Sequence, residues 1–359
     1  MSGPSPEALP DTLRALLTAP GPSGAEDRAA SVWQAAARSF TEDVRGDVNG
    51  NSIATVPGLT GGPHLAVIGH VDEIGLIVTH VDDDGLVWFG QVGGWDPTIL
   101  AGQRVVVLAR DGDVRGVIGK KAIHLMKPEE REKAPKVEEL HIDIGATSGD
   151  EARARVRVGD VAVLDAAPVQ LSGERWVSRS MDNRLGAFIA LEAARLVAEV
   201  GGAPGPVSAV ASVQEENTGG GAQTSAFGLE PDVAVVVDVT HATDTPGIDK
   251  RTEGDHALGS GAVIGRGQAL HPLVFELLHD AAEAESIPFT VEAMGRRTGT
   301  DADAVVYSRT GIATGIISIP LRYMHSPVEV VQLSDVHACA RLIAAFAQRM
   351  TSETTFVRG

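Results

Sequence analysis

Cysteine is almost missing from this sequence: Cys339 is the only one in 359 residues. An internal disulfide and a thiolate metal site are therefore excluded. Cys339 falls in a helical apolar pattern over residues 336–350 and is expected to pack in the core. Aromatic residues are also scarce, at 4% against 43% hydrophobic overall, so the core has to be built from Val, Ile, Leu and Ala. Positive charge is short as well. Lys and Arg number 30 against 48 Asp and Glu, for a net charge of −18. That balance argues against a nucleic-acid partner, whose phosphates need a basic patch, and against an anionic membrane surface. No run reaches the roughly 18 apolar residues of a membrane span, and the polar N-terminus has no apolar leader core, so a cytoplasmic protein is expected. Any metal ligands must come from the 11 histidines and the carboxylates.

What the sequence does have is a conspicuous stretch at 209–222, Ala-Val-Ala-Ser-Val-Gln-Glu-Glu-Asn-Thr-Gly-Gly-Gly-Ala. A β-branched apolar run stops at two carboxylates and then three glycines, which reads as a buried strand ending in a tight turn. In open α/β sheets, ligands bind at the carboxyl ends of the strands. Glu215 and Glu216 are therefore placed where chemistry is expected. Adjacent strand residues face opposite ways, so the pair should divide its work into one metal ligand and one general base unless the turn rotates one of them.

The rest of the chain supplies a context. Two amphipathic helices are predicted over 5–19 and 25–40, broken at Pro20-Gly21-Pro22-Ser23-Gly24. Strands follow at 52–56 and 64–68, the second leading into His70-Val71-Asp72, where a carboxylate could hold one ring nitrogen of a ligating histidine. His80-Val81-Asp82 repeats that triplet but runs into Asp83-Asp84-Gly85, so it reads as a surface hairpin. From 73 to about 168 the pattern changes to short alternating segments at 75–80, 86–90, 104–108, 114–120 and 160–164, which is an all-β texture. The charged, proline-bounded stretch 127–136 is predicted to be an exposed loop. Asp182 approaches a long helix over 185–200, where a helix N-terminus favours an anion. Asp238 ends a strand at 232–238. A helix at 272–284, a strand at 287–291, a helix from 298 to 307, a strand at 312–319 leading to His325, and a helix at 334–350 complete the chain. Trp95 and Trp176 read as core or interface residues. Arg322 and the Arg296–Arg297 pair read as structural or solvated more readily than as receivers of an acidic side chain. His124 is placed to reach a neighbouring subunit.

Taken singly, each acidic residue here could be a strand terminus or a helix cap. Together, His70, Glu216 with Glu215, Asp238 and His325 each end a separate α/β element, and Asp182 starts another. Imidazole and carboxylate ligands without thiolate suit zinc, cobalt or manganese. Two histidines and three carboxylates suffice for two ions sharing one bridging carboxylate, as in aminopeptidases and phosphatases.

The motifs Gly69-His70-Val71-Asp72-Glu73-Ile74-Gly75, Met181-Asp182-Asn183-Arg184-Leu185-Gly186, Val213-Gln214-Glu215-Glu216, Val237-Asp238, Gly299-Thr300-Asp301-Ala302 and Arg322-Tyr323-Met324-His325-Ser326-Pro327 resemble, in that order, those of the glutamyl and tetrahedral aminopeptidases. The resemblance covers nearly the whole chain. It implies a three-layer α/β/α catalytic domain of the zinc-peptidase type at 1–72 and 168–359. It also implies an inserted small all-β domain, PDZ-like or barrel-like, at 73–167 that dimerises. It further implies a homo-oligomer, a dodecamer of dimers, acting on short peptides with a free N-terminus. On the same resemblance His70 and Asp238 hold one divalent ion, Glu216 and His325 the other, Asp182 bridges them, Glu215 is the general base and Asp72 orients His70. Two departures, Asn217-Thr218-Gly219-Gly220-Gly221-Ala222 and Asp303, bear on the loops beside the site. The rival readings are a metal-dependent deacylase or carboxypeptidase on the same scaffold and a glycosidase. For the last, adjacent carboxylates are poorly placed to flank a bond and the histidines go unexplained.

Overall fold

Four strands rich in Val, Ile and Ala lie parallel at the centre of the molecule: Val207–Ser212, Leu65–His70, Val233–His241 and Ala313–Leu321. Such runs are apolar on both faces because both faces are covered. The computed structural model describes residues 8–358. Its main sheet has eight strands. Val44–Gly46 and Ser52–Val56 extend one edge, and Ala262–Gly267 and Phe289–Met294 extend the other, with Ala262–Gly267 running antiparallel to the central four.

Alternate residues of the central strands serve two cores. Leu65, Val67, Val235 and Val237 pack with Trp33, Leu185, Leu278 and Phe346 from the helices on one face. Ala66, Ile68, Ala234 and Val236 pack with Ala222, Ala226, Ala302 and Val305 on the other. The mixed α/β layers expected from the sequence are thus present, with period-2 side-chain alternation dividing the sheet between them.

The stretch after His70 folds into a closed six-stranded barrel, in the order Gly75–Val81, Val87–Val92, His141–Asp143, Gly112–Gly119, Arg104–Ala109 and Val161–Leu164. It has its own core of Leu76, Phe89, Trp95, Val105, Ile118 and Ile142. Closure leaves no open sheet edge within it. The sequence reading found five of these strands and missed His141–Asp143, which is too short to show alternation. His80 is exposed at the hairpin, as expected. The 127–136 stretch is exposed but carries a short helix, Pro128–Arg131, whose first turn is held by Glu130.

Other boundaries shifted. The first helix runs Asp11–Thr18, and the predicted start at Ser5 lies outside the described residues. The strand predicted at 287–291 is Phe289–Met294. Cys339 is fully buried on the helix Leu333–Arg349, and Trp176 packs in the main core. Arg322 pairs with Asp244, which makes it a structural arginine.

Two buried features fix the end of the His70 strand and the residues just after it. The first is an ion cluster. Glu73 accepts from Arg179, from Arg184 Nη2 at 3.1 Å and from the Gly21 N–H at 3.1 Å. Arg184 also donates to the carbonyls of Leu16 and Ala19, closing the N-terminal helix onto the site region. The second is a close backbone approach. A Cβ on Gly69 would sit 2.2 Å from the carbonyl carbon of Gly186, so at this crossing the strand and the helix Met181–Glu199 meet backbone to backbone.

Candidate active site

The central parallel strands carry their carboxyl ends to one edge, with Ser212 opposite His70 and Asp238 opposite Ser318. His70 ends its strand, and Asp238 lies within its own. Asp182 is in the second position of the helix Met181–Glu199 but is not helical, at φ −78° and ψ 105°, and its peptide bond to Asn183 is cis. His325 arrives on the turn between Ala313–Leu321 and Glu329–Gln332.

Three of these turns place a non-glycine residue in the left-handed region: Ser180 at φ 57°, Gln214 at φ 58° and His325 itself at φ 58°. Strained residues of this kind cluster where side chains must be aimed.

Asp182 is the centre of the arrangement. Its Oδ1 lies 3.3 Å from His70 Nε2, and its Oδ2 lies 3.4 Å from His325 Nε2. Glu216 Oε2 is 3.5 Å from the same nitrogen of His325, and Glu215 Oε2 is 3.8 Å from His70 Nε2. The donor atoms fall into two groups, His70–Asp182–Asp238 and Asp182–Glu216–His325, each with its atoms within 4.8 Å of one another. The rear nitrogens are fixed. His325 Nδ1 donates to the Gly94 carbonyl at 2.8 Å, and His70 Nδ1 lies 3.4 Å from Asp72 Oδ1 and 3.3 Å from its carbonyl. Both histidines therefore turn Nε2 toward Asp182, the orientation a metal ligand needs.

The electrostatics call for cations. Burial, reinforced by the charge of Asp182, pushes the Glu216 carboxyl up to about 8 and raises Asp238 well above its ordinary value. Burial also raises Glu215. For His70, burial opposes protonation, but the contacts with Asp182 and Asp72 outweigh it and raise the pKa well above 6.5. A buried oxygen of Glu216, Oε1, has no hydrogen-bond partner. Crowded carboxylates with an orphaned oxygen, facing two oriented imidazoles, fit divalent metal ions by charge and by ligand type.

All seven residues singled out from the sequence meet here. Asp72 is fully buried, and its two oxygens accept from the N–H groups of Glu215 at 3.1 Å and Glu216 at 3.2 Å, so it holds the glutamate turn as well as His70. The reading of Glu215 and Glu216 as strand residues on opposite faces is corrected. The strand ends at Ser212, and both glutamates lie in the turn beyond it, where the left-handed Gln214 rotates the chain.

Both departures from the family pattern tie loops to the site. Asn217 Oδ1 accepts from the Gly93 N–H of the barrel at 3.2 Å, and Asp303 accepts from the N–H groups of Thr298 and Gly299 at 3.0 Å each.

The sequence reading missed three supporting carboxylates. Glu329 is buried and accepts from the N–H groups of Met181 at 2.8 Å, Asp182 at 3.2 Å and His325 at 2.9 Å. Glu26 accepts from the N–H of Gln214 at 3.2 Å, and burial lifts it to about 7. Asp301 takes the Ser212 hydroxyl at 2.6 Å, and burial lifts it to about 8. Asp301 sits in a quoted motif. Glu26 and Glu329 had no local signal, since a helix start and a strand start both commonly carry a glutamate.

A buried imidazole–carboxylate cluster at the carboxyl edge of a mixed sheet, with a barrel beside it, defines a hydrolase of the α/β peptidase class. The M42 glutamyl aminopeptidase family matches residues 50–342, and the chain belongs to that family. It is 31% identical to the lysyl aminopeptidase of Pyrococcus furiosus, over 95% of this chain and 97% of that protein. Among solved structures, an aminopeptidase from the archaeon Desulfurococcus kamchatkensis is 38% identical with a TM-score of 0.88, covering 95% of this chain and 94% of that one. The TET1 peptidase of Pyrococcus horikoshii, which can assemble into a tetrahedron or a large octahedral shell, is 30% identical with a TM-score of 0.83, covering 95% and 99%. The chain is an aminopeptidase, a hydrolase of peptides.

Proposed function

We propose that this aminopeptidase removes N-terminal residues from short peptides at a centre that holds two divalent ions. The observation carrying this reading is that Asp182 turns one oxygen to each histidine, so that the two donor groups share it. His70 and Asp238 would complete one ion's ligands, and Glu216 and His325 the other's. Zinc or cobalt suits these donors, with manganese a further fit. When bound, such a pair supplies Lewis acidity for the carbonyl and lowers the pKa of water toward about 7.

The remaining work belongs to the side chains. Glu215, raised by burial and outside both donor groups, accepts the proton of the attacking water and returns it to the leaving amine. Asp72 keeps that carboxylate in place through the backbone of its turn and fixes the ring of His70. A free α-amine would have a lone pair to offer one ion, which an acetylated nitrogen lacks, and this is the basis for requiring an unblocked N-terminus.

The domain division at 1–72 and 168–359, with 73–167 as a dimerising insert, belongs to the same proposal. So do a dodecamer built from dimers and a cytoplasmic location. The assembly of the Pyrococcus horikoshii relative supports the oligomer. No helix among the described residues is long and apolar enough to cross a membrane.

The test is hydrolysis of free and N-acetylated amino-acid anilides before and after chelation. Cleavage restricted to free amines, lost with the metal and restored by zinc or cobalt, is expected. Cleavage that ignores the acetyl group or the chelator would sink the proposal.

A further inference from the structure

The cavity over the cluster has a volume of about 500 Å³ and extends beyond six of the seven residues above, all but Asp72, to Val239, Thr240, His241, Glu292, Thr300 and Met324. Five carboxylates line it: Asp182, Glu215, Glu216, Asp238 and Glu292. Two divalent ions carry four positive charges, which the first four balance. Glu292, on the edge strand Phe289–Met294, is left over.

Lys250, Arg251, Arg296 and Arg297 line the adjoining cleft with it, and His241 lines the cavity itself, but none is paired to it. Among the described residues no ion pair reaches it. Burial is the main influence on its carboxyl and raises it, the Thr240 hydroxyl beside it lowers it, and the charge of Glu253 raises it again. Arg296 and Arg297 follow on the same side of the fold, but they are exposed and make no ion pair with it. One carboxylate oxygen, Oε2, is enclosed and has no hydrogen-bond partner. A half-buried carboxylate with a free oxygen in a substrate cavity is incomplete until a donor reaches it.

Resting on the reading of this cavity as the aminopeptidase centre, we infer that Glu292 selects a cationic side chain, lysine or arginine, at the substrate's N-terminal position. The substrate's methylene stem passes Val239, Met324 and the Thr300 methyl, and its ammonium or guanidinium group donates to Glu292. The other four carboxylates are committed to the ions and the proton, so discrimination among side chains falls to this one. A glutamyl side chain would meet repulsion there, and an apolar one would leave Oε2 unpartnered.

The test compares the metal-loaded wild type with Glu292→Gln on lysine, arginine, leucine and glutamate anilides. The wild type is expected to prefer lysine and arginine. In the variant, the ratio of kcat/KM for lysine over leucine should fall at least about tenfold, the scale of a hydrogen bond to a charged group. A second measurement needs no variant. Free L-lysine should inhibit leucine anilide hydrolysis at least about tenfold more strongly than L-norleucine, which keeps the stem and lacks the ammonium. Equal inhibition, an unchanged ratio, or a wild type that prefers glutamate would overturn the inference while leaving the aminopeptidase reading intact. Failure to cleave any free-amine substrate would overturn both.

Discussion

Glu215 carries the proton step of the proposed mechanism, and its surroundings set it apart from the candidate metal ligands. It belongs to neither donor group, yet it lies 3.8 Å from a histidine that does. Glu215→Gln keeps the side chain's shape and is expected to retain both ions by elemental analysis while lowering kcat by about 10²–10⁴, the usual contribution of a general base. A variant that turned over normally would remove Glu215 from that role. At this scale the sequence was informative, because donors have to be His, Asp or Glu near strand and helix ends, and the motifs named every residue of the two donor groups that the fold brings together. It was silent on Glu329 and Glu26, which act only through backbone N–H groups. A carboxylate that accepts from three amides carries no chemical signature until folding brings those amides to it. The facing of the Glu215–Glu216 pair was misread for a related reason. Gln214 adopts a left-handed backbone that its residue type does not advertise.

Among the elements, the contact between the His70 strand and the helix Met181–Glu199 is the tightest constraint on the site. Gly69→Ala puts a methyl into the backbone of Gly186 at 2.2 Å and 2.5 Å, where no flexible side chain can yield. The variant should lose at least about 3 kcal/mol in urea unfolding, the upper end of overpacking costs, and a loss near zero would show that the strand and helix part easily.

The helix Leu333–Arg349 carries a pH effect far from the site. Burial raises Asp335 to about 6, although the N–H groups of Gly259 and Gly261 donate to it at 2.8 Å each. A carboxyl raised in the folded state supports folding most when protonated, so its contribution is full below its ordinary value of 3.8 and is lost as pH rises through about 6. Relative to wild type, Asp335→Asn should therefore gain about 3 kcal/mol between about pH 4 and about pH 7, read from urea midpoints at each pH; a constant difference would contradict this. Elements of this length were legible from their periodicity. Short ones such as His141–Asp143 were not, because three residues cannot display a period.

For the molecule as a whole, the metal centre is expected to act as a fastener. The sheet, the helix Met181–Glu199 and the His325 turn each carry a donor of the proposed centre, so the ions would bind the folded state and not the unfolded chain. At a hundredfold excess over Kd each ion adds about 2.7 kcal/mol. Chelation should lower the Tm by several degrees, zinc or cobalt should restore it, and a Tm indifferent to chelator would argue that the cluster holds no ion. The architecture of sheet plus barrel was visible in the sequence as a change of texture after His70. The closure of the barrel was not, since strand pairing between distant segments leaves no local trace.

The hydrogen bond from His325 to the Gly94 carbonyl and the one from Gly93 to Asn217 come from a loop of the barrel, whereas His325 and Asn217 belong to the sheet domain. The barrel therefore cannot rock against the sheet without pulling on an imidazole and on the turn that carries both glutamates. A neighbour that gripped the barrel would also have a lever on that imidazole and that turn.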